Sequence, residues 1–141
     1  MNMPGITDPK LPALEFGANP HKLTAALTLL LGAYREERLA VFECVADEIG
    51  AVHDETDKLR LTLMDNLIAS GEQALASGDP VTCSGALGQL LGAYRSERAF
   101  VFKCVSDGCG AVREPEDQRL LATMDAMIAF ATCALEPAVS A

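Results

Sequence analysis

Eight side chains have the types and the spacing to do chemistry together: Tyr34, Glu37, Arg38 and Asp65, and the same residue types 60 positions on at Tyr94, Glu97, Arg98 and Asp125. A helical wheel puts Arg38 near the middle of an apolar face centred on Leu27, Tyr34, Val41 and Val45, and Arg98 follows suit. Arginine cannot shed its charge on burial, so an inward guanidinium requires a carboxylate or an anionic ligand. Unpaired, it costs several kcal/mol or more. With a turn centred near Val52, Arg38 lies about 14 residues before it and Asp65 about 13 after, and equal rise along two antiparallel helices sets them level. The spacing therefore predicts an Arg38–Asp65 ion pair and an Arg98–Asp125 pair, with Tyr34, Tyr94, Glu37 and Glu97 within reach. Such pairs would fix helix register. If the two guanidiniums also converge, with the tyrosine hydroxyls as donors, they form a cleft for small anions.

Other chemistries fit the residues less well. A ferritin-like two-metal centre needs Glu on two helices and Glu-x-x-His on the other two, and neither His21 nor His53 follows a glutamate at that spacing. Inward arginines would also repel a metal from Glu37, Asp65, Glu97 and Asp125, so no metal or cofactor is expected. The five cysteines (Cys44, Cys83, Cys104, Cys109 and Cys133) include no C-x-x-C pair and no histidine partner, and read as reduced thiols packed as small hydrophobes. Cys83, in the first turns of a helix, is the thiol expected to be most reactive, through the positive helix N-terminus.

The elements that carry these residues come from an internal repeat. Aligning 19–78 with 79–138 needs no gap and gives about 27 identities in the 60 pairs. The best stretch, Leu30 to Arg38, returns as Leu90 to Arg98. Each copy opens on Asn19-Pro20 or Asp79-Pro80, an N-cap followed by proline at the first helical position. Apolar residues then recur every three or four positions up to Gly50, predicting a first helix of about 30 residues and roughly 45 Å. A turn of about four residues, Gly50 to His53, leads to a second helix whose acidic start, Asp54 to Asp57, suits a helix N-terminus. That helix ends near Gly78, and the matching one runs from Glu114-Pro115 to Pro137. No alternating pattern argues for a strand.

The expected fold is all-α: an antiparallel four-helix bundle made of two tandem αα-hairpins with an internal pseudo-twofold. Residues 19–138 form one domain, with repeats 19–78 and 79–138. The proline-rich arm 1–18 is expected to be extended or disordered, and 139–141 forms a tail. Gly32 and Gly92 sit inside the long helices, where glycine costs about 0.5–1 kcal/mol relative to alanine, and close approach of those helices is the expected offset.

A net charge of -9 repels phosphate backbones and anionic lipid, and the chain has no Trp, so nucleic acid and membrane are not expected partners. No secretory signal or 20-residue apolar stretch is present, which points to the cytoplasm. With no nucleophile–base pair, phosphate loop or metal cluster, the expected role is non-catalytic protein binding or self-association, with a homodimer as the simplest form. Leu23, Leu27, Leu39 and Phe100 are expected to need cover from a partner. Binding of a small anion at the Arg38/Arg98 cleft and a ferritin-like metal protein are the alternatives.

Overall fold

The structure is a computed structural model in which residues 19–136 are described. The expectations for residues 1–18, for the end of the second repeat and for the tail lie outside these residues. Among the described residues there are four helices and no strand: α1 (Pro20–Val45), α2 (Glu55–Ser77), α3 (Pro80–Val105) and α4 (Pro115–Leu135). Each start has a local cause. Asn19 Oδ1 accepts from the His21 and Lys22 amides at 2.8 and 3.3 Å, Asp54 caps Thr56 and Asp57, and Asp79 caps Thr82. Proline opens α1, α3 and α4, where its missing N–H would have had no helical partner. Glu114 makes no side-chain cap; the nearby Gln118 amide donates instead to the Val112 carbonyl at 2.7 Å. At the link between α2 and α3, Gly78 takes a left-handed φ of 68°, which lets α2 end and α3 begin two residues later.

The long helices have 26 residues each, shorter than the expected 30. The cause is Asp47. Its Oδ1 accepts from the Ile49 and Ala51 amides at 3.0 and 2.9 Å, and its Oδ2 meets His53 at 2.6 Å. These bonds offer the backbone an alternative to the helical ladder. They hold the Asp47 carboxyl below its ordinary range, the Ala51 amide contributing most and His53 next. Asp107 does the same with Cys109, Ala111 and Arg113. Isolated bridges Ala46–Val52 and Ser106–Val112 close both loops, which are correspondingly longer than the four-residue turn expected.

The helices form a four-helix bundle in which α1 and α3 each pack on all three others, while α2 and α4 barely meet. The long pair therefore runs through the middle. Leu27, Leu30, Leu31, Leu87, Leu90 and Met124 are its largest fully buried side chains. Each stabilises the fold by about 1.5–3 kcal/mol through burial. Leu23 and Leu27 need no external cover, contrary to expectation, because the bundle itself buries them; Leu39 and Phe100 remain about half exposed.

The glycine expectation fails. A methyl built on Gly32 or Gly92 would meet nothing within 4 Å, so neither marks a helix crossing. The close approach is at Gly71 on α2, where an added Cβ would lie 2.8 Å from Leu31 Cδ2. No helix among the described residues is long and apolar enough to cross a bilayer.

Candidate functional site

Both predicted ion pairs form. Arg38 donates through Nε and Nη2 to the two Asp65 oxygens at 2.9 and 3.0 Å, and Arg98 meets Asp125 at 2.8 and 3.0 Å. Their place differs from expectation. The pairs lie on the outside of the seams α1/α2 and α3/α4, with the Asp65 and Asp125 side chains more than half exposed, and neither arginine lines any of the three clefts described below. The guanidiniums do not converge, and each is already occupied by a carboxylate. Phe42 and Phe102 lie beneath them, 5.7 Å from guanidinium carbon to ring centroid. Exposed pairs of this kind contribute up to about 1 kcal/mol. A double-mutant cycle with Arg38→Ala and Asp65→Ala in denaturant unfolding should give a coupling of roughly 0.3–1 kcal/mol. A coupling near zero would remove the pair from the energetics.

What turns inward is the neighbouring glutamate. At 100° per residue, positions 37 and 38 fall about 50° to either side of the face that Leu27, Leu30, Tyr34 and Val41 define. Neighbouring helices decide between the two flanks. The Leu31 flank meets α2 at Gly71, which carries Arg38 to the α1/α2 seam, whereas the other flank turns Glu37 toward α3. Glu97 on α3 is correspondingly buried, only 8% exposed. The two glutamate side chains face each other across the middle of the bundle, and burial pushes the Glu37 carboxyl above its ordinary value with Glu97 adding to the effect.

One cation serves this pair. Arg60 on α2 donates from Nη2 to Glu97 Oε1 at 2.7 Å and stacks over the Phe100 ring at 4.7 Å. Sixty positions on, the residue is Leu120, and Phe100 itself corresponds to Ala40. Glu97 thus has a guanidinium that Glu37 lacks. The internal repeat gives no sign of Arg60, which does not recur at position 120; the sequence signal is the break in the repeat itself.

Tyr34 and Tyr94 are buried, and neither hydroxyl makes a hydrogen bond with another described residue. Burial pushes both phenols up to about 12, with Glu97 the next cause at Tyr34 and Glu37 at Tyr94. Each tyrosine sits with the glutamate of the other repeat. Three clefts surround the cluster. One of about 380 Å³ lies against α2 and α3, lined by Tyr34, Leu59, Arg60, Leu63 and Glu97. A second, of about 530 Å³ between α1 and α4, is lined by Glu36, Glu37, Tyr94, Leu120, Met124 and Met127. The third, about 420 Å³, opens toward the loop end between Val41, Cys44, Phe100, Val101, Cys104 and Leu120.

No group of three or more His, Cys, Asp or Glu among the described residues is placed to hold a metal ion. Asp65 and Asp125 sit in the outer seams, away from the Glu37–Glu97 contact, so the four-carboxylate arrangement considered from sequence does not assemble. Four cysteines are exposed rather than packed as small hydrophobes. Cys83 is the buried one, its thiol 3.3 Å from the Ala74 carbonyl and pushed up by burial and by Asp79. It is therefore the thiol least suited to react, the opposite of the expectation from its place in the helix.

Glu37→Gln tests the cost of burying this carboxyl. An amide keeps the shape without ionising, so the variant should gain about 0.5–1 kcal/mol at neutral pH. The sign follows from linkage. A carboxyl raised in the folded state is fully accommodated below its ordinary value of 4.5, and stability falls as pH rises through the raised value. The advantage of glutamine should grow from about pH 4.5 upward and then level off, in thermal unfolding across pH. A pH-independent difference would contradict the raised Glu37 carboxyl.

The fold and the site together define a helical bundle with a small buried acid–arginine–tyrosine cluster. No protein-family model matches the chain, and neither does any curated protein or any solved structure.

Proposed function

We propose that this protein is an acidic, cytoplasmic helical bundle that works without catalysis, by binding protein, and first of all a second copy of itself. Its two halves are duplicated helical hairpins related by an internal twofold, and the duplication explains why most buried positions agree. The observation that carries the reading is one apolar face. Leu59 and Leu63, one turn apart on α2, are 59% and 53% exposed, and they flank Arg60, which lies over the half-exposed Phe100. Sixty positions away these residues are Arg119, Thr123 and, for Phe100, Ala40, so only one half carries the face. Leucines around an arginine stacked on an aromatic ring are the composition of an interface centre, and a twofold dimer covers one such face with its equal.

Both alternatives have weak support. The guanidiniums meant for an anion are bonded to Asp65 and Asp125, and the acidic residues meant for a metal are dispersed. A dilution series of methyl-labelled protein tests the dimer. The Leu59 and Leu63 methyl signals should move with concentration while those of Leu29, on another face, stay fixed. Signals that are all insensitive to concentration, or that move everywhere alike, would count against the face.

A further inference from the structure

We propose that the α1/α4 cleft is a binding site for a small organic cation, an alkylguanidinium or alkylammonium, with Glu37 as its counter-ion and the Tyr94 hydroxyl as a hydrogen-bond partner. The molecule contains its own template for this. On the α2/α3 side, Glu97 and Tyr34 line a cleft that Arg60 enters, its guanidinium 2.7 Å from the carboxylate. On the α1/α4 side the corresponding residues are Glu37 and Tyr94, but the position of Arg60 is taken by Leu120, and the cleft is larger, about 530 against 380 Å³. The acid is present, but the nearby guanidinium of Arg60 is bonded to Glu97 and leaves Glu37 without a bonded cation.

The Tyr94 hydroxyl offers such a ligand a second group, as the equally unbonded Tyr34 hydroxyl lies in the cleft beside Arg60. Tyr94 is 4% exposed and lines this cleft, and its hydroxyl makes no hydrogen bond with another described residue, although a buried tyrosine hydroxyl ordinarily has a partner. The walls suit a short carbon chain: Leu29, Leu120, Met124 and Met127 are apolar, and methionine adapts to irregular ligands. Glu36, exposed at the rim, and the overall charge of -9 favour the approach of a cation. The other charged groups around Glu37 are Glu97 on α3 and Arg60 and Asp57 on α2, while α4 contributes Leu120 and Thr123 and no charge to the cleft.

Butylguanidinium, which reproduces the end of an arginine side chain, is the probe, with butylammonium beside it and butanol and butyrate as neutral and anionic controls. Titrated into the full chain at constant ionic strength, the two cations should bind saturably in the millimolar range and raise the melting midpoint, and the controls should not. Glu37→Gln keeps the shape and removes the charge, and should weaken binding at least about tenfold. Leu120→Arg should supply the cation internally, abolish binding of the probe and raise the midpoint of the free protein. The proposal is overturned if neither cation binds at about 50 mM, where a millimolar site would be filled. It is equally overturned if butanol binds as well as the cations, or if Glu37→Gln binds them as the wild type does. The glutamine variant decides the matter even if Leu120→Arg does not fold.

Discussion

Arg60→Ala should destabilise the protein by about 2–3 kcal/mol, more than any exposed ion pair in the molecule, because it strands Glu97 in the core. The Glu97 side chain is 10% exposed and that of Arg60 29%, so the carboxylate depends on this one guanidinium for its charge. The variant also gives up the contact with Phe100, a cation–π interaction worth about 0.5–1 kcal/mol at a half-exposed site. Adding Glu97→Gln should restore much of the loss, since a neutral amide needs no counter-ion. The pair is thus measured as a double-mutant cycle by chemical denaturation. Equal losses in Arg60→Ala with and without Glu97→Gln would show that the arginine contributes by packing alone.

The second large effect is expected at Gly71. A leucine there would start from a Cβ only 2.8 Å from Leu31 Cδ2 and 3.2 Å from two further Leu31 atoms, in a part of the core where Leu31 is 1% exposed. Leu31 can turn its end away by a few tenths of an ångström, which would relieve an alanine, but not a whole side chain. Gly71→Leu should therefore cost about 3 kcal/mol or more, at the upper end for overpacking. Gly32→Ala is its control. That methyl meets nothing within 4 Å, so the helix should gain about 0.5–1 kcal/mol. Thermal unfolding of the two variants separates the readings. A destabilised Gly32→Ala together with a tolerated Gly71→Leu would place the close approach where the sequence suggested it and not where the structure puts it.

These glycines show how much of the fold could be read in advance. The helix starts were legible because Asn19-Pro20, Asp54 and Asp79-Pro80 act through neighbours two or three residues away. The level of Arg38 with Asp65 was legible because rise per residue is the same in every helix. What could not be read depends on which helix stands opposite. Glu37 and Arg38 are equally compatible with the apolar spacing, and only the packing of α3 against one flank and α2 against the other turns the glutamate in and the arginine out. The early helix ends were hidden for a different reason. Asp47 and Asp107 stand at positions where the apolar spacing still runs on, and their hydrogen bonds to following amides override it. At Gly32 and Gly92 identity between the repeats drew attention to positions that face open space. The close approach lies at Gly71, whose partner position holds Ala131, small but not identical. At the site, Arg60 is hidden in the sequence for the same reason in reverse, since its partner position holds Leu120.

Self-association is the central claim, and sedimentation equilibrium of the full 14.9 kDa chain tests it most directly. The wild type should approach twice that mass as concentration rises, and the double variant Leu59→Glu, Leu63→Glu should stay at the monomer mass with its helical circular dichroism unchanged. A wild type that remains monomeric at the highest concentrations, or a double variant that dimerises as the wild type does, would contradict it.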